Sequence, residues 1–540
     1  MKSTGQYIIT VEQHVVHLTI IVRDDPPTAI HTCITLMFSS PNISPKPRIG
    51  LCACLCAALL FAPILPLSAT AQNIYRLPEL GDASQEALSP FQERRIGESI
   101  IRELRASGAY MNDPEVNDYL DALGHKLVAA GNDTRQDFEF FAIPDPSINA
   151  FALPGGYIGV NTGLILLAQS ESELASVLAH EITHITQRHL TRMVSGQKDA
   201  LLLSLAALAV AIAASQSGSS SSGQVIGAAV TSAQALAIQS QINYTREHEY
   251  EADRIGFQRL RAAGFDVSAA AVFMTRLQRS SRFADGNMPS YLRTHPITTE
   301  RIAEAQARTE GTPYRQVVDS IDFHLVRALL QSYLGTPREA VAFFEDALRE
   351  RKFNNKNATH YGLAAALLRA KNYDRAKKEI AGLDKELQHP MIDAMAGHIM
   401  MESGDLDGAI ARFGKAVERY PDKKQLVYDY PDALIRSGQF QKAIDFLERQ
   451  ITRFPGDGQL HQKTASAYAK LRQPFKEHAH QGEYYVWLGN PQAAIEQFDL
   501  ALKNDRDASF QEKSALESRK RAMQTELRER ERDNKILGGK

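Results

Sequence analysis

The residues of this chain whose types and spacing could do chemistry together lie in a His-Glu-x-x-His motif over residues 180–184. On a helix, residues four positions apart share a face, so His180 and His184 can present imidazole nitrogens to one metal ion. Glu181 lies on the adjoining side, where its carboxylate can reach a water molecule bound to that ion. The spacing of apolar residues around the motif predicts a strong helix over residues 171–190 that carries this hydrolytic chemistry.

A catalytic zinc ion needs a third protein ligand, and residues 246–253 offer candidates on a second predicted helix. Glu249 and Asp253 are four positions apart, so one can bind metal while the other accepts a hydrogen bond from a ligand histidine. The other candidate side chains lie on other faces of that helix: Glu247, His248 and Glu251. Spacing alone leaves the choice of ligand open, and a solvated acidic helix face is the alternative.

Capping residues and apolar spacing predict the elements that must position these groups. Ser89 followed by Pro90 is typical of a helix start, and a second helix is predicted over residues 115–129. Strands are predicted at three places, with a tight turn at residues 154–156 between the last two: 138–143, 150–153 and 157–160. A small sheet beside several helices follows from this pattern.

Beyond Ser320 the sequence becomes repetitive. Five alanines occupy equivalent places in small-residue helices: Ala340, Ala376, Ala409, Ala443 and Ala494. The first three intervals bracket the tetratricopeptide period of about 34 residues, and the last suggests an extra helix near residues 460–470. Stacked helix pairs build a continuous core. We therefore predict a tetratricopeptide-like repeat domain over residues 320–510 and a charged C-terminal helix or tail over residues 511–540.

Composition excludes several classes of protein. The chain has 540 residues, of which 44% are hydrophobic and 23% charged, as in ordinary globular proteins and unlike disordered, fibrous or polytopic membrane chains. Its formal charge of −2 gives no basic surplus for binding nucleic acid, so no nucleic-acid partner is expected. All four cysteines lie before residue 57, so the rest of the chain does not depend on disulfides.

The start of the chain has the form of an export signal. Basic residues precede an apolar run over residues 49–67, and a small-x-small sequence ends at Ala71, which predicts cleavage after Ala71. A membrane anchor is the alternative, although the run is near the lower spanning length and contains two prolines. Residues 1–71 are therefore interpreted as a signal or presequence, in which Met37 is a candidate for the true start.

A second apolar region follows the motif. Residues 200–237 contain two alanine-rich stretches on either side of a Ser/Gly tract. The first stretch is short for a membrane span, so a buried helical hairpin with a flexible tip is one interpretation. A mobile lid or a contact with a membrane surface beside the active site is the other.

Taken in order, these segments resemble the HtpX-like zinc metallopeptidases, and among them the exported branch that carries tetratricopeptide repeats. The resemblance depends on residues 180–184 and on three further segments: Thr245-Arg246-x-x-Glu249-x-x-Ala252-Asp253, Thr294-His295-Pro296 followed by Arg301-Ile302, and residues 149–156. Thr245 stands where that family usually has Ser. The match extends over nearly all of residues 80–510.

The resemblance implies a site and a fold. Glu249 would be the third ligand of one Zn²⁺ per chain, Asp253 and Arg246 would support the ligands, and Glu181 would act as the catalytic base. His295 could stabilise the oxyanion or plug the open zinc position, or the His-Pro pair could simply bound a helix. The implied fold is mainly α with a small β-sheet. It consists of a gluzincin-like metallopeptidase domain over residues 72–310 followed by an α-solenoid.

The function implied is that of a periplasmic zinc endopeptidase of envelope protein quality control. It would degrade misfolded or stalled outer-membrane proteins, could assist their assembly, and would dock onto the outer-membrane assembly machinery through its repeats. A substrate strand could pair with the edge of residues 149–153. The metallopeptidase domain is expected to have its own core, with the repeats as an independent docking arm. The alternative is a chaperone-like repeat protein with latent proteolytic activity.

Overall fold

The computed structural model describes residues 6–12, 15–21, 89–131, 137–193, 245–282, 289–310, 317–504, 506 and 508–537. The interpretations of residues 49–67 as a signal and of residues 200–237 as a hairpin or lid fall outside these residues and stay predictions. None of the described helices has both the length and the apolar character needed to cross a membrane.

The chain divides into two compact units, Met1–Leu80 and Gly81–Lys540. In the first unit, strand β1 (Gln6–Glu12) pairs antiparallel with β2 (Val15–Ile21). A two-stranded hairpin of this kind is marginally stable at best when it stands alone in water. All the elements that follow belong to the second unit.

A three-stranded sheet lies beside the chemical motif. Its strands are β3 (Glu139–Ile143), β4 (Ala150–Leu153) and β5 (Tyr157–Asn161), in the order β3-β5-β4. β5 runs parallel to β3 and antiparallel to β4. The turn between β4 and β5 has positive φ angles of 80° and 94° at its two glycines, a conformation that a Cβ atom disfavours. The small sheet predicted from the sequence is confirmed.

Nine helices of the described residues belong to the part of the chain that precedes the repeats. They are α1 (Pro90–Ala106), α2 (Pro114–Ala129), α3 (Thr162–Leu167), α4 (Glu171–Thr186), α5 (His189–Met193), α6 (Arg246–Ala262), α7 (Ser268–Arg282), α8 (Ser290–Thr294) and α9 (Thr299–Ala307). α4 carries the His-Glu-x-x-His motif and packs against α2, α6 and α7.

The predicted helix over residues 171–190 is wrong in its length, because α4 ends at Thr186 and a turn separates it from α5. Arg188 in that turn has a left-handed φ of 53°. The turn is held from a distance, since Glu93 on α1 accepts hydrogen bonds from the Arg188 guanidinium at 2.8 Å and from the Thr191 hydroxyl at 2.6 Å. Local apolar spacing contains no information about this distant carboxylate.

The repeats form a continuous run of antiparallel helices. They are α10 (Ile321–Tyr333), α11 (Pro337–Glu350), α12 (Lys356–Arg369), α13 (Tyr373–Glu386), α14 (Pro390–Glu402), α15 (Leu406–Arg419), α16 (Lys424–Arg436), α17 (Phe440–Arg453), α18 (Gly458–Lys470), α19 (Pro474–Trp487), α20 (Pro491–Lys503) and α21 (Phe510–Leu537). The five alanines of the repeat pattern are all buried, on α11, α13, α15, α17 and α20. Two helices lie between α17 and α20, where the other intervals contain one, so the extra helix is confirmed.

The core does not stop at the boundary between the metallopeptidase part and the repeats. α10 packs against α2 and α3, and one cluster of buried residues joins Leu120 and Leu164 to Phe323, Leu329 and Tyr361. The Glu171 carboxylate at the start of α4 also accepts hydrogen bonds from Ser320, from its hydroxyl at 2.6 Å and its backbone N–H at 3.1 Å. The expectation of two separate cores is therefore wrong.

Partly buried acidic side chains line the same junction. The Tyr361 hydroxyl donates to the Glu115 carboxylate at 3.1 Å, and the Tyr333 hydroxyl donates to Asp113 at 2.8 Å. Burial raises the pKa of Glu115 to about 8, and the nearby charge of Asp113 adds to the shift. The opposite charge of His398, which pairs with Asp429, partly offsets it.

Glu115→Gln should therefore stabilise the protein increasingly as pH rises. The folded carboxyl keeps its proton up to about pH 8, whereas an unfolded glutamate loses its proton near its ordinary value of 4.5. The free energy of unfolding of the wild type therefore decreases as pH rises through that window. The decrease is about 1.4 kcal/mol for each unit by which folding raises the pKa. The difference in Tm between variant and wild type should be small at about pH 5, grow to about pH 8 and then level off. The exposed Glu103→Gln serves as the control, and a pH-independent difference for Glu115→Gln would contradict the assignment.

Candidate metal centre and active site

Helix α4 presents both histidines of the motif on one buried face. Ser170 caps the helix by accepting a hydrogen bond from the backbone N–H of Glu173 at 3.3 Å, which sets where its first turn begins. The Nε2 atoms of His180 and His184 are 2.9 Å apart, and both side chains are buried. The spacing that predicted a shared metal face thus places the two imidazoles side by side.

Helix α6 brings carboxylates to this pair. Thr245 caps α6 by accepting from the backbone N–H of His248 at 3.3 Å, a role that serine and threonine both perform. Further along α6, Gly256 lies against the backbone of α4, where an added Cβ would stand 3.2 Å from atoms of Ala179 and His180. This close approach lets the Glu249 and Asp253 side chains reach the histidines.

The Asp253 and Glu249 carboxylates lie at opposite nitrogens of the His180 ring. Asp253 accepts from Nδ1 of His180 at 2.9 Å, and Glu249 lies 3.5 Å from Nε2 of the same ring. Glu249 is also 3.4 Å from Nε2 of His184. A carboxylate on Nδ1 orients the imidazole so that its Nε2 lone pair points at the centre. The arrangement is the one that the i, i+4 spacing of Glu249 and Asp253 allowed.

His295 completes the cluster from the C-terminal end of α8. Its Nδ1 lies 2.9 Å from Glu249 and 3.3 Å from Nε2 of His180, and its ring stacks on Tyr291 at 4.7 Å. One ligand atom from each of His180, His184, Glu249 and His295 lies within 4.8 Å of the others. Imidazole nitrogens with one carboxylate are a donor set that suits zinc, so the residues fit that ion.

Glu181 stands beside the cluster without joining it. Its side chain is fully buried, and neither carboxylate oxygen accepts a hydrogen bond from the part of the chain that the structure describes. Nε2 of His295 lies 3.5 Å from its Oε1. Burial raises the pKa of Glu181, although the charges of His295 and His180 oppose the shift. A carboxylate with a raised pKa and unengaged lone pairs is suited to accept a proton.

The charges of the cluster are unevenly distributed. Burial opposes protonation of His180, but the carboxylates of Glu249 and Asp253 outweigh it and raise the pKa of His180 to about 10. Burial dominates at His184 and holds its pKa well below the usual value. For Glu249, burial is outweighed by the charges of His295 and His180, which hold its pKa well below the ordinary range. A metal ion that binds these nitrogens must therefore displace a proton.

Arg301 occupies the supporting position that the resemblance implied for Arg246. Arg301 donates to the Asp253 carboxylate through Nε at 2.7 Å and Nη2 at 2.8 Å, and its Nη1 lies 2.6 Å from Glu249. Arg246 is exposed at the start of α6, and no described contact joins it to the cluster. Arg301 was part of the resemblance, but its sequence position gave no indication of this double contact.

Two further residues were missed by the sequence analysis. His189 on α5 reaches Nδ1 of His184 at 2.9 Å, and Tyr291 stacks on His295. A third histidine five residues after His184 was the available signal for His189, but the predicted straight helix would have pointed its ring away. Nothing in the pattern around Tyr291 could have found it.

A cleft opens beside β4 and next to His184. It has a volume of about 370 Å³ and is lined by β4 residues Ala152 and Leu153, by His184, and by the turn that precedes α5. β4 is an edge strand of the described sheet, because it pairs with β5 alone. The free edge of β4 and one member of the buried metal cluster, His184, therefore line the same cleft.

Comparison with known proteins identifies the two parts of the chain. Residues 114–309 match Peptidase family M48, and residues 400–470 match the Tetratricopeptide repeat. A Vibrio cholerae serotype O1 protein is 37% identical over 453 residues, which cover 83% of this chain and 91% of that protein. The Escherichia coli (strain K12) relative is named Beta-barrel assembly-enhancing protease and is 31% identical over 473 residues, covering 86% of this chain and 94% of that protein.

The chain belongs to the beta-barrel assembly-enhancing proteases of peptidase family M48. A more distant relative, the Mitochondrial metalloendopeptidase OMA1 of Schizosaccharomyces pombe, is 30% identical over 220 residues, covering 40% of this chain and 59% of that protein. Membership of this family makes the protein a metalloprotease with tetratricopeptide repeats.

Proposed function

We propose that this protein is a zinc endopeptidase that acts on unfolded or misassembled proteins of the bacterial envelope. The observation that carries the proposal is the cluster of four converging donors, His180, His184, Glu249 and His295, with the unengaged Glu181 carboxylate beside it. The first three would hold the ion. Zinc, when bound, lowers the pKa of a bound water and polarises a substrate carbonyl.

The chemistry assigned to the protein's own groups is proton transfer. Glu181 accepts the proton of the attacking water at a carboxylate oxygen and delivers it to the nitrogen of the departing amine. Its raised pKa makes it a stronger base toward the proton of that water. Asp253 and Arg301 keep His180 and Glu249 in place, so that the polar groups around the reacting bond need not reorganise.

His295 has a position that favours the plug over the oxyanion role. Its Nδ1 is within the donor cluster, 2.9 Å from Glu249, so it can occupy the fourth position of the site. Its Nε2 faces Glu181 at 3.5 Å, where it restricts access to the base. An exported protease of low sequence preference needs such a restraint.

The edge of β4 supports an extended substrate. Backbone groups along a free strand edge pair with any extended segment, so they give affinity with little sequence preference. The half-buried side chain of Ala152 on β4 lines the cleft beside this edge. This suits a protease whose substrates share a lack of folded structure rather than a sequence.

The names of the relatives support an envelope setting. Proteins that match most of this chain are called beta-barrel assembly-enhancing proteases, so we place the action of this one in the periplasm, on outer-membrane proteins. The repeats would hold a client or the outer-membrane assembly machinery. A chaperone-like binding protein with latent proteolysis remains the second candidate, and the donor in the fourth position of the site, His295, is what favours it.

Metal analysis together with cleavage of casein tests the proposal. The purified protein should contain about one zinc per chain, and 1,10-phenanthroline should abolish cleavage until zinc is added back. Glu249→Ala should weaken zinc binding beyond the roughly 10–100-fold typical of losing a supporting partner. Zinc-loaded protein that cuts no unfolded substrate but prevents its aggregation would favour the chaperone-like candidate. Cleavage without any metal would contradict the proposal.

A further inference from the structure

The turn after α4 brings a fourth imidazole, that of His189, behind the three of the metal cluster. Nδ1 of His189 lies 2.9 Å from Nδ1 of His184, on the side of the His184 ring away from the other donors. Nε2 of His189 lies 3.2 Å from the Glu251 carboxylate. His189 and His184 are both buried, so water does not compete for the contact between them.

The hydrogen bonds of this group have one consistent direction. Glu251 also accepts from the Arg192 guanidinium at 3.1 Å, and an ionised carboxylate can only accept, so Nε2 of His189 must donate to it. In the neutral ring the other nitrogen then carries a lone pair and accepts from Nδ1–H of His184. That leaves the Nε2 lone pair of His184 directed at the cluster, 3.4 Å from Glu249.

We propose that Glu251 and His189 are positioning residues that set the tautomer and the orientation of His184 for binding zinc. This inference deepens the proposed function, on which it rests. The ring of His180 is oriented directly by Asp253, whose carboxylate lies 2.9 Å from Nδ1 of His180. His184 has an imidazole interposed between itself and its carboxylate, so the two ligand histidines are oriented by different devices.

The surroundings keep His189 in this position. Its ring stacks on His248 with centroids 4.5 Å apart and planes 22° apart. The left-handed residue Arg188, which precedes it, is tied to Glu93, as is Thr191 after it. The turn that shortens α4 thus has a chemical consequence, because a continued helix would carry residue 189 around to a different face.

His189→Phe is the main test, since it keeps a ring of similar shape and removes both hydrogen bonds. The zinc dissociation constant, measured on metal-free protein against a chromophoric chelator, should rise by about 10–100-fold. His189→Asn places an amide oxygen near the position of Nδ1 and should recover much of that loss. The visible absorption spectrum of the cobalt-substituted protein should change in His189→Phe and return toward the wild type in His189→Asn. A merely structural role would lower Tm without moving either readout.

His248→Phe is the matched control, because it keeps the stacked ring and lies outside the chain of hydrogen bonds. Its zinc dissociation constant should stay close to that of the wild type. If His189→Phe does not fold, the partly exposed Glu251→Ala replaces it, with an expected rise of about tenfold in the dissociation constant. A folded His189→Phe or Glu251→Ala variant with unchanged zinc affinity overturns the inference.

The two hypotheses fail in different ways. If wild-type protein binds zinc but cleaves nothing, the proposed function is wrong, while the chelator titrations of the variants still decide the role of His189. If wild-type protein binds zinc and cleaves casein, and His189→Phe binds zinc equally well, the positioning role alone is wrong.

Discussion

Glu181→Gln should retain zinc and lose peptide cleavage by several orders of magnitude. Gln has the shape of Glu but cannot accept and return a proton, and general acid–base catalysis alone contributes about 10²–10⁴-fold to a rate. The carboxylate lies outside the four-donor cluster and has no described hydrogen bond to lose, so the fold should tolerate the change. Relieving its desolvation could even raise Tm, because burial raises the pKa of this carboxyl. Zinc content and the cleavage rate of a fluorogenic peptide, measured on the same preparation, check the prediction.

Glu173→Gln provides the matched control for this experiment. Glu173 is also buried on α4, but it lies in the first turn and pairs with Arg276 rather than with the cluster. Its variant should keep both zinc and cleavage. Loss of zinc from Glu181→Gln would instead make Glu181 a ligand, and undiminished cleavage would remove it from the mechanism.

A fragment that ends at residue 310 should fail to fold, which reverses the expectation drawn from sequence. It lacks α10, which packs against α2 and α3, and it leaves the Glu171 carboxylate without Ser320. Each large apolar side chain that loses its burial costs about 1.5–3 kcal/mol, so a few such losses exceed a typical stability of about 5–15 kcal/mol. Thermal unfolding of the fragment 72–310 should show no cooperative transition, and zinc binding should be lost.

A longer fragment that ends at residue 403 tests whether the common core is the reason. It retains α10 to α14, most of whose buried residues belong to the same cluster as those of α2 and α4. Ala394 and Met401 on α14 belong instead to the next cluster along the repeats. We expect this fragment to unfold cooperatively and to bind zinc. The opposite result would be that the fragment 72–310 folds, binds zinc and cuts a peptide. The core contacts across the junction would then be unnecessary for stability, and the repeats would be an independent arm.

Much of the fold could be predicted because its signals are local. A serine before a proline begins α1, two glycines make the turn between β4 and β5, and alanines at regular intervals mark the helix pairs. These features act through a few neighbouring residues, so a single sequence contains them. The end of α4 was misplaced because a carboxylate on α1 holds the turn at Arg188, and sequence spacing cannot report that contact.

In the candidate site, too, the features that follow from local spacing could be predicted and those that depend on contacts between helices could not. Positions four apart on one helix share a face in any fold, so the pairing of His180 with His184, and of Glu249 with Asp253, could be expected from the sequence. The rotation of α6 about its axis relative to α4 could not be expected from the sequence, because it depends on the close contact at Gly256. That contact directs Glu249 into the cluster and leaves Glu251 to bind His189 behind it.

By itself, then, the sequence determined the metal-binding type of chemistry, the small sheet and the repeat period, since each depends on the identity and spacing of nearby residues. The tertiary structure alone decided that Arg301 rather than Arg246 supports the acidic ligands, that His189 stands behind His184, and that the repeats complete the core. These contacts join residues on different helices, whose relative positions are set by which apolar faces pack together. Packing of that kind is a property of the whole folded chain, so no local pattern can contain it.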